Sequence, residues 1–169
     1  MEKFKINTAL FGEIEFTTQG GVWENYDIAL GGREMTVRLS IADYYDKNWF
    51  DDDIGVVKNM LNHITQLYDA AKKALFDGMA SNKLISYFID FHIEEVEQIA
   101  EIMGVGSREE ITPAMFVDKL GLRTIGIAKD KADTIVCTLD FSIPAEYSDE
   151  LLVVRFDGQY KILGISHES

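Results

Sequence analysis

Residues 134–143 read Thr-Ile-Val-Cys-Thr-Leu-Asp-Phe-Ser-Ile, and the alternation puts Ile135, Cys137, Leu139, Phe141 and Ile143 on one face of a β-strand. Similar short strands flank it at 122–128, 151–156 and 159–165. Asp157-Gly158 is a strong two-residue turn signal between the last two. That turn predicts Leu152 opposite Leu163, Val154 opposite Lys161, Val153 opposite Ile162 and Arg155 opposite Tyr160. With apolar residues on both faces, the hairpin is expected at the centre of a sheet.

The chain also begins with strands. Phe4–Leu10 and Gly12–Phe16 are short and polar at alternate positions, and a clearer hairpin follows around Gly31-Gly32. A two-residue turn there sets Leu30 against Arg33, Ile28 against Met35, Tyr26 against Val37 and Val22 against Ile41. Glu24 opposite Leu39 is the one poor match. A slip of one residue would reverse the faces, so the turn and the apolar pattern support one register.

Between these β regions the period changes to that of helices. Val57, Leu61, Ile64, Tyr68, Ala71 and Leu75 recur at spacings of four and three, predicting one helix from Ile54 to about Phe76 that ends at Gly78. A second is expected from about Lys83 to Met103, with a kink or break near His92 and Gly104 as its stop. Its inward residues are Ile85, Ile89, Val96, Ala100 and Met103, and Glu94, Glu97 and Glu101 face outward. Thr112 as N-cap and Pro113 at the first helical position begin a short third helix to about Leu120.

Strands at both ends of a chain with helices between them predict one sheet, completed when the C-terminus returns to the N-terminal strands. The expectation is α+β. One domain spans 1–169, β-rich over 1–42, helical over 51–120 and β-rich over 122–165. The sheet is mostly antiparallel, with two long helices and one short one packed on one face. A chain of 169 residues with 47% hydrophobic content suits one core of this size.

Twenty-nine acids against sixteen bases give a net charge of −13, spread as −6 over 1–53, −4 over 54–111 and −3 over 112–169. This excess repels phosphate backbones and anionic headgroups and favours encounter with a basic protein, so neither nucleic acid nor membrane is an expected partner. No apolar run reaches the ~20 residues of a membrane helix. The N-terminus lacks the apolar core of a signal peptide, so a cytoplasmic location is expected. The single cysteine, Cys137, sits on the apolar face of its strand and reads as a buried small hydrophobe.

No motif for catalysis, cofactor or metal binding stands out, and no cofactor is predicted. The nearest metal pattern is His92 with Glu95 on one helix face, a pair that could assist a dispersed enzyme site. Gly104-Val-Gly106 follows a helix, which excludes a dinucleotide fingerprint. Segment 42–53 mixes aromatics and acids, a composition suited to protein contacts. Its candidate partner-binding residues are Tyr44, Tyr45, Trp49, Asp51, Asp52 and Asp53, and the three aspartates also suit the start of a helix. A module that recognises a basic protein, as immunity proteins recognise toxins, is the leading reading. A dispersed enzyme site and a structural homodimer are the alternatives.

Several segments resemble a bacterial group, domain-of-unknown-function family two thousand and four. They are Phe11-Gly-Glu-Ile14, Ile28-Ala-Leu-Gly-Gly-Arg33, Leu67-Tyr-Asp-Ala-Ala-Lys72, Ser148-Asp-Glu-Leu-Leu-Val-Val-Arg-Phe-Asp157 and Ile165-Ser-His-Glu-Ser169. The resemblance implies a small bacterial cytoplasmic α+β protein and supplies no activity. It also implies that the terminal His167-Glu168-Ser169 is docked, with His167 paired to an acidic neighbour.

Overall fold

A computed structural model describes residues 2–18, 21–42 and 48–169. The chain builds β1 (Lys3–Thr8), β2 (Gly12–Thr17), β3 (Val22–Leu30) and β4 (Arg33–Ala42). Helices α1 (Asp51–Asn62), α2 (Ile64–Gly78), α3 (Lys83–Glu95), α4 (Ile99–Met103) and α5 (Pro113–Lys119) follow. It closes with β5 (Gly121–Lys129), β6 (Ile135–Ser142), β7 (Leu151–Phe156) and β8 (Ile162–Glu168). The α+β expectation holds.

β3 to β8 form one six-stranded sheet in sequence order, antiparallel except where β4 and β5 run parallel. A parallel neighbour needs a long crossover, and the helices supply it. This pairing joins the two β-rich ends of the chain. β1 and β2 are an exception to the single expected sheet: they form a separate hairpin. It buries Phe4, Ile6, Ile14 and Phe16, and the Ala9 N–H donates to Asn62 Oδ1 at the end of α1 (3.3 Å).

Register separates the sheet's faces. The row Leu39, Ile125, Leu139, Val154 and Ile165 packs into the core. The adjacent row Arg38, Thr124, Asp140, Val153 and Ser166 lies on the opposite face. Tyr68 of α2 packs against Phe141 (ring centroids 6.0 Å), and the Lys72 ammonium donates to the carbonyls of Val117, Asp118 and Leu120 at the end of α5. Burial draws the Lys72 pKa down to about 8, with the Asp118 carboxylate opposing the fall and Arg33 adding to it.

Three local expectations are corrected. The first long helix is two, because the chain leaves helical geometry at His63, where ψ is 13°, and the ring's Nδ1–H bonds to the Asn59 carbonyl (2.6 Å) while the ring stacks on Tyr160. The second breaks at Val96, whose ψ of 112° is extended, while His92 lies buried inside α3. The β7–β8 register is also different: Leu152 faces His167, Val153 faces Ser166 and Val154 faces Ile165. Asp157 Oδ1 accepts the N–H groups of Gln159 (2.8 Å) and Lys161 (2.9 Å), and Tyr160 takes a positive φ of 66°. These bonds hold a longer loop, with an irregularity between Arg155 and Phe156. β8 is the last strand in the sheet order, so the hairpin expected at the centre of the sheet lies at its edge.

Candidate functional site

The aromatic–acidic segment divides between core and surface. Tyr44 and Tyr45 lie outside the described residues. Trp49 is 1% exposed and packs edge-on against Phe16, with ring centroids 6.0 Å apart. Lys129, 3% exposed, places its ammonium 2.6 Å from Asp53 and donates to the Asn48 carbonyl (2.9 Å). That ammonium also lies over the rings of Trp49 and Phe50. Asp53 Oδ2 accepts the Phe50 N–H (2.7 Å), so Asp53 closes the first turn of α1 and Phe50 occupies the N-cap. Trp49 and Asp53 are therefore engaged in packing and in starting α1, and among the described residues of this segment Asn48, Phe50, Asp51 and Asp52 are exposed.

A second aromatic–acidic surface lies on α3 and α4. Tyr87 is 60% exposed and stacks on Phe91 one turn later, with centroids 6.3 Å apart. Asp90, Glu94, Glu95, Glu97 and Glu101 are exposed, and residues 84–107 contain no lysine or arginine. Among the described residues, none of these carboxylates makes a salt bridge. Tyr87, Asp90, Phe91, Glu94 and Glu95 recur at three and four residues, so they share one helical face. This face was legible in part: Tyr87 and Phe91 stand off the apolar stripe of Ile85 and Ile89.

α3 also abuts the β8 edge. The His167 ring lies 5.2 Å from that of Phe88 and 6.1 Å from that of Tyr87. His167 pairs with Glu150, so the C-terminal strand is docked through an acidic neighbour as the resemblance implied. Beside it, His92 is fully buried and pairs at both ring nitrogens. Nδ1–H donates to the Phe88 carbonyl (2.7 Å), and Nε2 accepts from Ser148 Oγ (2.9 Å). Burial holds the His92 pKa below its usual value. Glu95, by contrast, is exposed, so the suggested His92–Glu95 metal pair faces two environments. Among the described residues, no three His, Cys, Asp or Glu side chains form a metal-binding group.

Cys137 is buried, and burial pushes its thiol up to about 12, far from the thiolate a nucleophile needs. No helix of the described residues is long and apolar enough to cross a membrane. In comparisons with protein families, curated proteins and solved structures, nothing matches this chain.

Proposed function

We propose that this protein is a cytoplasmic binding module that recognises a basic protein partner, in the manner of an immunity protein. The observation that carries the reading is the α3 face, where Tyr87 and Phe91 stand among Asp90, Glu94 and Glu95, which make no salt bridge among the described residues. Aromatic rings supply contact area at low entropic cost, and the carboxylates steer a cationic surface toward them. The adjacent β8 edge offers unpaired backbone groups to the same partner. Carboxylates on α3 repel a second copy, which favours a foreign partner over the homodimer alternative. Membership of domain-of-unknown-function family two thousand and four is part of this proposal, supported by the order of the segments that resemble it.

Affinity capture from the native host's lysate at low and high salt tests the reading. The expected partner is basic, is released by salt, and is lost on combining Asp90→Asn, Glu94→Gln and Glu95→Gln. It is retained by Asp51→Asn with Asp52→Asn. A partner indifferent to the α3 changes overturns this placement, and a salt-insensitive or acidic partner overturns the electrostatic reading.

One observation favours the enzyme alternative. Ser148 Oγ, His92 Nε2 and the Phe88 carbonyl form a nucleophile, base and orienting acceptor at hydrogen-bond distances. Ser148 Oγ also accepts the Glu150 N–H (3.1 Å), which suits a loop staple equally well. Covalent labelling by a fluorophosphonate that disappears in Ser148→Ala supports catalysis; no labelling leaves the bonds a structural role.

A further inference from the structure

The sheet face opposite the helices carries a groove of about 530 Å³ that the binding reading does not use. Its floor is built from short side chains: Gly126 and Ala128 on β5, with Val136 and Thr138 on β6. Register puts Gly126, Thr138 and Arg155 in one row across three strands. A Cβ on Gly126 would lie 2.5 Å from Thr138 Oγ1, so glycine keeps this part of the floor low. Leu163, 55% exposed at the start of β8, supplies an apolar wall.

The charges at the groove differ from those of the chain as a whole. Arg155 and Lys131 line it, are exposed, and make no salt bridge among the described residues. Asp130 lines it as well, but its Oδ1 is engaged by the N–H groups of Ala132 and Thr134, both at 2.9 Å. The Lys129 ammonium is bound to Asp53. Two available cations therefore border an apolar floor in a protein of net charge −13.

We propose that this groove binds a small amphipathic carboxylate, with the anion on Arg155 and the hydrocarbon over Ala128, Val136 and Leu163. The volume falls within the range of small-ligand sites, roughly 300 to 1,000 Å³. The guanidinium of Arg155 matches a carboxylate with two parallel donors. A singly charged head suits the groove better than a dianion because the surrounding protein is strongly negative.

Octanoate is the probe, followed by amide chemical shifts of the full chain, with octanol and octylamine as neutral and cationic controls. Shifts confined to residues 126–138 and 155–164 that saturate with octanoate, and tighter binding than either control, are expected. Arg155→Gln should weaken octanoate roughly tenfold while leaving octanol unchanged, the effect of one lost charge-assisted contact. Arg155 is exposed, so the variant keeps its fold, which the unchanged remainder of the spectrum verifies. Equal binding of octanoate and octanol, shifts elsewhere, or an unaltered Arg155→Gln affinity overturns the proposal.

Discussion

Segments 48–53 and 87–101 have nearly the same ingredients, aromatic rings among carboxylates, and the fold uses them in opposite ways. In the first, Trp49 is buried and Asp53 is held by Lys129, a residue from the far end of β5. In the second, exposed Tyr87 stacks on half-buried Phe91, and their neighbouring carboxylates meet no cation among the described residues. Composition gives the chemistry a segment can offer. Whether that chemistry meets solvent depends on what the rest of the chain brings to it.

The largest effect should come from removing the cation that separates the two regions. Lys129→Met leaves Asp53 partly buried without its partner, and should cost about 3 to 5 kcal/mol in urea unfolding. Red-shifted Trp fluorescence is expected if Trp49 loses its seat. Combining the change with Asp53→Asn should recover much of the loss; no recovery would break the account of segment 48–53.

A carboxylate on the sheet face sharpens the same rule. Burial raises the Asp140 pKa to about 6, nearby Glu168 adds to the rise, and Arg123 opposes it. The native state keeps this proton to higher pH than the unfolded chain, so stability falls as pH rises from about 4 to about 6. Asp140→Asn should remove that fall and stabilise the protein at pH 7 by up to about 3 kcal/mol, measured by denaturation across pH. A steeper loss in the variant would contradict this sign.

Deletion of residues 167–169 removes the His167–Glu150 pair and the packing on Phe88. A loss of about 1 to 2 kcal/mol in thermal or urea unfolding is expected, because the pair is partly shielded from water. An unchanged midpoint would show that the tail is not docked. The smallest effect belongs to Asp51→Asn with Asp52→Asn. These exposed residues interact with the α1 dipole alone, worth about 0.3 to 1 kcal/mol each at low salt and less as salt rises.

The two hairpins show how far local reading reached. At Gly31-Gly32 both glycines take positive φ, 58° and 74°, and the pairs from Leu30–Arg33 to Val22–Ile41 form as the turn predicts. At Asp157-Gly158 the same reasoning failed, since the Asp157 carboxylate satisfies the backbone of a longer loop. Local turn residues nominate a register; a side chain that offers the backbone other partners can displace it. His63 similarly breaks a helix whose apolar spacing ran through it without interruption, and the break expected near His92 falls at Val96.

The sequence by itself determined the β–α–β order, the inward face of β6, the Gly31-Gly32 register and the Thr112 cap, because these depend on periodicity and on neighbours in the chain. Tertiary structure decided the separate β1–β2 hairpin, the parallel β4–β5 junction and the edge position of β8. It also decided that Lys129 would claim Asp53 while the α3 carboxylates met no cation among the described residues, since burial and ion pairing arise between residues that the chain separates and only packing brings together.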